Sequence, residues 1–347
     1  MTGVASDLGY RVARRLEADD TVEYVAGVDL REPPDGLVRT EFIRADLRSP
    51  LVAKVVESTR VDTILHLALT AAPADAGGRA RMKERNVIGT MQLLGGANHA
   101  PRLRTMVVKS TTAVYGSNYA DPALFREDTS PDAGTHSGYA KDMVEVEGYA
   151  RAFGRRRPDV DLTLLRFANF IGPGVDSAFT RYFALPVVPV VLGFDPRIQL
   201  VHIADAVTVL ERAVSEARPG IYNVAGPGIV YLSQAVRMSG KPTVPVPQPF
   251  MNGLADLMRR AGSVDFSPEQ LAFLLYGRVG DITRLRETFG YEPRYSTAAA
   301  FAQFLDANVR PLLDRKTAER WEHELGAVLT RARRFAAGLA RRSGGAA

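Results

Sequence analysis

The stretch Thr2-Gly3-Val4-Ala5-Ser6-Asp7-Leu8-Gly9 opens the chain and determines how the rest of the sequence is interpreted. Val12 and Leu16 continue from Leu8 at helical spacing, which indicates a glycine turn at the start of an amphipathic helix. The backbone N–H groups of such a turn, together with the positive end of the helix, form a binding site for a pyrophosphate. The opening of the chain therefore predicts a dinucleotide site.

An acidic residue stands at the distance that this prediction requires. The apolar run Val22–Val28 ends in Asp29, about 20 residues after the turn. A carboxylate in this place accepts hydrogen bonds from both hydroxyls of an adenosine ribose, which favours NAD over NADP.

Two features of the turn are irregular. Ser6 stands where such loops usually have a glycine; its Cβ takes up room, although its hydroxyl can donate to a phosphate. A turn of this type normally follows a buried strand, but only Met1 and Thr2 precede this one. We therefore expect that the first strand is missing and that the start of the chain was assigned too late.

Composition restricts the class of protein. With 347 residues and 46% hydrophobic content, the chain can bury a large core in one or two domains. It has no cysteine, which excludes disulfides and thiolate chemistry and fits a reducing cytoplasm. The part after residue 309 has nine Lys/Arg and four Asp/Glu, a difference that equals the net charge of +5. Residues 1–309 are therefore balanced and give no electrostatic reason to expect nucleic-acid binding.

Strand-like and helix-like segments alternate in the first half of the chain. Predicted strands are 22–28, 41–45, 61–67, 105–110 and 162–166, and predicted helices are 7–18, 50–58, 79–99 and 139–154. This alternation predicts an α/β fold with a Rossmann-type, doubly wound parallel sheet. After Gly172-Pro173-Gly174, shorter strands (198–203, 221–224 and 243–246) mix with helices, which predicts a smaller α/β lobe. The predicted division is a cofactor domain (1–170), a substrate lobe whose chain crosses back to the sheet (171–310) and a tail (311–347).

Short motifs follow one another in a recognisable order: Thr2–Gly9, Asp29, Ala45-Asp46-Leu47, His66-Leu67-Ala68, Asn86-Val87-Ile88-Gly89-Thr90, Val114-Tyr115-Gly116, Lys141 with Glu145, Arg166 with Asn169, Gly172-Pro173-Gly174 and Tyr222-Asn223-Val224. Together they resemble the extended short-chain dehydrogenase/reductase family of NAD-dependent nucleotide-sugar epimerases and dehydratases, which includes UDP-glucose 4-epimerase. The resemblance covers most of the chain before the tail. No single motif is specific, but the ordered set is.

The resemblance implies a cofactor site. The residues it implies are Gly3, Ser6, Leu8 and Gly9 for the pyrophosphate, Asp29 for the ribose, Asp46 and Leu47 for the adenine, Leu67 and Ala68 along the cofactor, and Phe167 near the nicotinamide. Simpler interpretations stay open for several polar residues. Asp46 also fits a helix or turn cap, Asn86 a structural hydrogen-bonding residue, and His66 and His202 satisfied strand histidines; no cluster has metal-ligand spacing.

The resemblance also implies a catalytic Ser or Thr, Tyr and Lys. Thr111 fits the first position, and Lys141, with Glu145 one turn later, fits the lysine that binds the nicotinamide ribose and lowers the pKa of the tyrosine. The tyrosine is expected four residues before the lysine on the same helix face, but that residue is Ser137. A serine hydroxyl is a far weaker acid than a phenol of pKa about 10, so Ser137 is no substitute.

Tyr139 is the alternative to Ser137. It stands two residues before Lys141, roughly 200° round an ideal helix, so it can serve only if the helix starts late. Tyr139 equally fits a packing residue in the first helical turn. The sequence therefore predicts cofactor binding more firmly than turnover.

Further expectations concern the substrate, partners and tail. The resemblance places Asn169 and Arg278 on the substrate, although the neighbouring Asp281 fits equally well as the start of the following helix. It also places helices 82–99 and 139–153 in a homodimer contact. The apolar faces of these helices fit a dimer contact, but a stripe that faces the core would look the same. The tail has an apolar stripe with arginines around it: Trp321, Leu325, Val328, Ala332, Phe335 and Leu339. It fits a helix on anionic lipid or in a partner's groove, or one docked on the protein itself.

Two functions from different classes follow. The first is a cytoplasmic NAD-dependent epimerase or dehydratase that acts on a nucleotide sugar, with an atypical active site. The second is a non-catalytic NAD-binding sensor or scaffold, at the inner face of the membrane if its tail binds lipid. A reductase with a lipid-like substrate is a third possibility that would require an apolar lid over the site.

Overall fold

A parallel β-sheet forms the centre of the first part of the molecule. The computed structural model describes residues 1–131, 138–251, 253, 255 and 268–309. The sheet contains β1 (Val25–Asp29), β2 (Thr40–Arg44), β3 (Thr63–His66), β4 (Thr105–Thr111), β5 (Asp161–Phe167) and β10 (Gly220–Val224). β2 pairs with β1, and the remaining strands pair in the order β3-β4-β5-β10, all in parallel. The predicted α/β fold with a parallel sheet is confirmed.

The start of the chain joins the two groups of strands. Thr2 forms parallel bridges to Val28 of β1 and to His66 of β3. The N–H of Thr2 donates to the carbonyl of Leu65 and the N–H of Gly3 donates to that of Val28, both at 2.9 Å. Thr2 thus occupies the central place in the sheet, as the first residue of the glycine turn Thr2–Gly9. The expectation that a longer strand belongs here stays a prediction.

Helices cover both faces of the sheet because the strands are apolar on both sides. These helices are α1 (Asp7–Glu17), α2 (Leu51–Thr59), α5 (Gly89–Asn98), α6 (Gly138–Arg156) and α8 (Ile203–Ser215). Alternate strand residues join two different cores: one contains residues of α1 and α8, and the other contains residues of α2, α5 and α6. The predicted helix 79–99 is interrupted: after the short α3 (Pro73–Ala76) come α4 (Arg79–Lys83), a π-helical turn (Glu84–Ile88) and then α5.

A smaller lobe follows β5, with its own apolar core. It contains β6 (Asn169–Ile171), α7 (Ala178–Ala184), β7 (Val188–Val191), β8 (Arg197–Ile198), β9 (Leu200–His202), β11 (Val230–Tyr231), α9 (Leu232–Ser239), β12 (Thr243–Val246), α10 (Pro268–Tyr276) and α12 (Thr297–Asn308). Between the last two, α11 (Thr283–Glu287) returns to the main sheet, where Leu285 joins the core that contains α1 and α8. Its short strands pair two by two, β6 with β9, β7 with β12 and β8 with β11. Because β10 pairs with β5, the chain does cross back to the main sheet. The domain boundary at residue 170 stays a prediction.

In the part of the chain that the structure describes, no helix is both long enough and apolar enough to cross a membrane. The predicted amphipathic tail (311–347) lies outside the described residues, so its lipid-binding role stays a prediction.

Candidate active site

The glycine turn Thr2–Gly9, called the glycine loop below, is packed so tightly that side chains are excluded at two positions. Gly3 has a φ of +78°, and a Cβ on it would lie 2.7 Å from the backbone nitrogen of Ala68. A Cβ on Gly9 would lie 2.0 Å from the carbonyl oxygen of Gly3. Glycine at these two positions therefore lets the loop pack closely on itself and on the backbone of Ala68, directly in front of the N-terminus of α1.

Ser6 and Asp29 hold the loop in shape. The Ser6 hydroxyl donates to the carbonyl of Gly3 at 2.7 Å and accepts from the N–H of Gly9 at 3.0 Å, so it caps α1. One carboxylate oxygen of Asp29 accepts from the N–H of Ala5 at 3.1 Å. Since the Ser6 hydroxyl proton is used inside the loop, its predicted donation to a phosphate would require that bond to break. The predicted contact of Asp29 with a ribose is compatible with its place at the end of β1.

The other predicted cofactor residues are buried or partly buried. Leu47, Leu67 and Phe167 are buried, and Ala68 and Asp46 are partly buried. Asp46 accepts from the backbone N–H of Arg48 and forms an ion pair with its guanidinium at 2.6 Å, so the turn-cap interpretation of Asp46 is correct. Its predicted contact with adenine stays a prediction.

The simpler interpretations hold for Asn86 and His66, whereas His202 is satisfied only in part, because its buried Nε2 atom has no hydrogen-bond partner among the described residues. Asn86 exchanges two hydrogen bonds of 2.9 Å with the backbone of Thr70. His66 lies between the hydroxyls of Thr2 and Thr90 at 2.7 and 2.9 Å, and burial, followed by the charge of Lys109, lowers its pKa to about 3. His202 accepts from the N–H of Ala204 and caps α8.

The carboxyl ends of the parallel strands bring several predicted site residues to one edge of the sheet. The glycine loop follows the bridging residue Thr2, Asp29 ends β1, Leu67 follows β3, Thr111 ends β4 and Phe167 ends β5. The side chain of Thr111 accepts from the N–H of Ala113 at 3.2 Å, so its hydroxyl proton is still available to a ligand. This edge is where open α/β sheets bind their ligands.

The start of α6 determines what Tyr139 and Lys141 can reach. Gly138 has a φ of +57°, but α6 already includes Gly138 and Tyr139, so the late start that Tyr139 requires, with residues 137–139 outside the helix, is not found. Tyr139 packs against the core between α6 and the sheet, and burial together with the charge of Asp142 raises the pKa of its phenol above the ordinary value. Lys141 is exposed. Ser137 lies outside the described residues.

A buried polar network beneath this edge was not predicted from the sequence. Glu147 of α6 forms a bidentate pair with Arg166 of β5, at 2.9 and 2.7 Å, and also accepts from the hydroxyl of Ser110 at 2.6 Å. Arg166 donates further to the hydroxyl of Tyr115 at 2.8 Å, and Tyr115 donates to Asn223 at 2.7 Å. The network thus ties α6, β4, β5 and β10 together below the site.

Glu145, which the sequence pairs with Lys141, has a different role in the structure. It forms an exposed ion pair with Lys83 at 3.2 Å, while Glu147 is completely buried. The available signal was Arg166: an arginine in an apolar central strand needs a buried acid, and Glu147 lies two turns after Tyr139 on the same helix face.

A cleft of about 530 Å³ opens between the segment after β4 and the smaller lobe. Arg278 lines it and donates to the carbonyl of Gly116 at 2.8 Å and to the hydroxyl of Ser117 at 3.1 Å. Asp281 accepts from Thr283 at the start of α11, as its alternative interpretation requires. Asn169 is exposed and, among the described residues, its side-chain amide has no hydrogen-bond partner.

The parallel sheet with helices on both faces and a glycine loop at its centre defines a fold of the Rossmann type. Comparison with known families makes this more specific. The model of the NAD dependent epimerase/dehydratase family matches residues 1–225. The chain belongs to this family, as the ordered motifs predict.

Relatives and solved structures agree with this membership. An uncharacterized protein of Mycobacterium tuberculosis is 41% identical over 327 residues, which are 93% of this chain and 87% of the relative. The UDP-glucose 4-epimerase of Thermus thermophilus, in complex with NAD, has a TM-score of 0.66 at 21% identity, covering 88% of this chain and 97% of that chain. The UDP-glucose 4-epimerase of Thermotoga maritima, with UDP-glucose, has a TM-score of 0.67 at 19% identity, covering 88% and 96%. At such identities the structures establish similarity of fold alone.

Proposed function

We propose that the chain is an NAD-dependent epimerase or dehydratase that acts on a nucleotide sugar. The observation that carries the proposal is the meeting at one sheet edge of the glycine loop, Asp29 and Thr111, whose hydroxyl proton has no acceptor among the described residues. Family membership, and relatives of the same fold that contain NAD and UDP-glucose, support the same assignment.

The residues present fit a bound dinucleotide. Only glycine is accommodated at positions 3 and 9, and among the described residues the N–H groups of Asp7 and Leu8 in the first turn of α1 have no hydrogen-bond partner. These groups would hold the diphosphate, and Asp29 would hold the adenosine ribose. Bound NAD would supply the acceptor for a hydride from a sugar carbon.

The chain itself would position the sugar and move a proton. Thr111 would donate to a sugar hydroxyl, and Asn169 and Arg278 would hold the nucleotide diphosphate or the sugar beside it. Tyr139 would exchange the proton, and since burial and Asp142 raise its pKa, a nearby cation is needed before it can act as a base. Lys141 remains the predicted source of that cation, but its exposed place on α6 does not favour this role.

The decisive experiment separates binding from turnover. We expect the full-length protein to bind NAD in isothermal titration calorimetry, and to convert at least one of UDP-glucose, UDP-glucuronic acid and dTDP-glucose when NAD is present, as followed by proton NMR. Thr111→Val keeps the shape of the side chain without its hydroxyl, so it should retain NAD binding and lose about 100-fold in rate. Absence of NAD binding by folded protein would refute the proposal.

The second candidate is a non-catalytic NAD-binding sensor or scaffold. The burial of Tyr139, with its raised pKa and with no cation of α6 beside it among the described residues, favours this candidate. Tight NAD binding without conversion of any of the three nucleotide sugars would select it.

We also propose that two copies of the chain associate through α5 and α6. Met91 of α5 and Tyr149 of α6 are large hydrophobic residues that are 40% and 39% exposed. Their exposure supports the predicted homodimer contact, because the core-facing stripes of both helices are formed by other residues.

A further inference from the structure

Lys109 is a partly buried cation near the carboxyl end of β4 that the proposed mechanism does not use. It lies on β4 two residues before Thr111, and its neighbour Ser110 points to the opposite sheet face, toward Glu147. The ammonium of Lys109 donates to the carbonyl oxygen of Leu69 at 3.0 Å. Among the described residues, no carboxylate lies within ion-pair distance of this ammonium.

A partly buried ammonium loses part of its hydration, and without a counter-ion no opposite charge replaces that hydration. The position of Lys109 beside the site therefore calls for an explanation. Burial lowers the pKa of Lys109 to about 8. A carbonyl satisfies only one of the three N–H donors of an ammonium, which leaves two for a ligand. A ligand rich in hydroxyl or phosphate oxygens would supply the missing acceptors.

The position of Lys109 along the site indicates which part of a dinucleotide it meets. Asp29, the predicted ribose acceptor, lies at the end of β1, and the glycine loop follows the central residue Thr2. A dinucleotide with its adenosine at β1 and its diphosphate over the loop continues toward β3 and β4. Leu69, the partner of Lys109, lies just beyond Ala68, whose backbone touches the loop at Gly3. The ammonium is therefore on the nicotinamide side of the diphosphate.

Helix α6 provides no cation of its own at this place. One turn after Tyr139, on the same buried helix face, the residue is Met143, which is fully buried and uncharged. Lys141 is exposed. We propose that Lys109 on β4, in place of a lysine on α6, supplies the ammonium that binds the nicotinamide ribose of NAD. The inference rests on the proposed function, because it takes NAD to be the ligand.

Calorimetry with two ligands tests the inference. NAD and ADP share the adenosine and the diphosphate, but only NAD has the second ribose. We expect Lys109→Met to weaken NAD binding by about 10- to 100-fold while ADP binding changes less than about threefold. Lys54→Met, the matched removal of an exposed lysine on α2, should leave both affinities unchanged. A purely structural role of Lys109 would weaken both ligands alike, and melting temperatures of the unliganded variants report any folding defect.

The pH dependence of the unmodified protein gives a second readout. NAD affinity should fall by about tenfold per pH unit above pH 8, where Lys109 loses its proton, and Lys109→Arg, which stays charged, should remove this dependence. The titratable groups near Lys109 do not interfere in this range. Burial, followed by the charge of Lys109, lowers the pKa of His66 to about 3, and burial lowers that of the Met1 amino group to about 6.

The possible outcomes are distinguishable. If wild-type protein binds NAD and Lys109→Met binds it equally well, or loses NAD and ADP equally, the inference is overturned while the proposed function stands. Loss of NAD binding in Lys141→Met alone would also overturn it. If folded wild-type protein binds neither NAD nor ADP, the proposed function fails together with the inference.

Discussion

Glu147 and Glu145 stand two residues apart on α6 and provide a matched comparison of a buried and an exposed acid. We expect Glu147→Gln to lower the free energy of unfolding by about 3–5 kcal/mol, because Arg166 would be left buried without its counter-charge. Glu145→Gln removes only the partly exposed pair with Lys83 and should change stability by less than about 1 kcal/mol. Urea denaturation of the three proteins measures both values. Equal effects of the two substitutions would contradict the role given to Glu147.

The same pair should give the protein a stability that depends on pH. Burial acts to raise the pKa of Glu147, but the hydrogen bonds and charge of Arg166, with Ser110 and Arg151, hold its pKa below the ordinary value. A group with a lowered folded pKa contributes stability above its unfolded pKa and loses it as the pH falls through the folded pKa. The stability difference between wild type and Glu147→Gln should therefore be constant near neutral pH and decrease below about pH 4. A difference that grows on acidification would contradict this sign.

At the scale of single elements, the periodicity of apolar residues predicts the fold well, because strands and helices bury residues at different spacings along the chain. The strand predicted at 162–166 and the helix predicted at 139–154 are β5 and α6 with boundaries moved by one or two residues. The sequence predicts one uninterrupted helix over 79–99 and does not reveal the π-helical turn within it. One extra residue in a helical repeat leaves the apolar pattern nearly unchanged. The strand predicted at 198–203 divides into β8 and β9 at Gln199, whose side chain bonds Gly280 of a distant segment.

The glycine loop and α1 form one element whose shape we expect to depend on Gly9. In Gly9→Ala the new Cβ would meet the carbonyl oxygen of Gly3, so the loop must open. We expect a loss of about 1–3 kcal/mol of stability and at least about tenfold in NAD affinity, measured by denaturation and calorimetry. Gly95→Ala on α5 is the control: nothing lies within 4 Å of its Cβ, so this variant should be as stable as wild type or more stable by up to about 1 kcal/mol. A Gly9→Ala protein that binds NAD normally would contradict the close approach of ligand and backbone.

At the scale of the whole molecule, the site is less predictable than the fold because it depends on contacts between distant segments. The glycine loop and Asp29 carry local signals, so their meeting at Ala5 follows from the sequence. Lys109 has no such signal, because it stands in an otherwise apolar strand. Its ammonium meets the carbonyl of Leu69, which is distant in the sequence, only once the chain has folded. The role predicted from the spacing between Ser137 and Lys141 stays a prediction, because Ser137 lies outside the described residues.

Assembly of the whole molecule provides the last test. Met91 and Tyr149 lie on adjacent helices, and together they leave an apolar surface that a second copy would cover. We expect wild-type protein to elute at twice the mass of the chain in size-exclusion chromatography with light scattering, and Met91→Glu combined with Tyr149→Glu to elute at the mass of one chain. Val38→Glu is the control, because Val38 is 89% exposed in a loop away from these helices and should leave the mass unchanged. The double variant should keep its NAD affinity within about threefold, since neither residue touches the glycine loop. A wild-type protein that elutes as a single chain at micromolar concentration would show instead that these two side chains are ordinary surface residues.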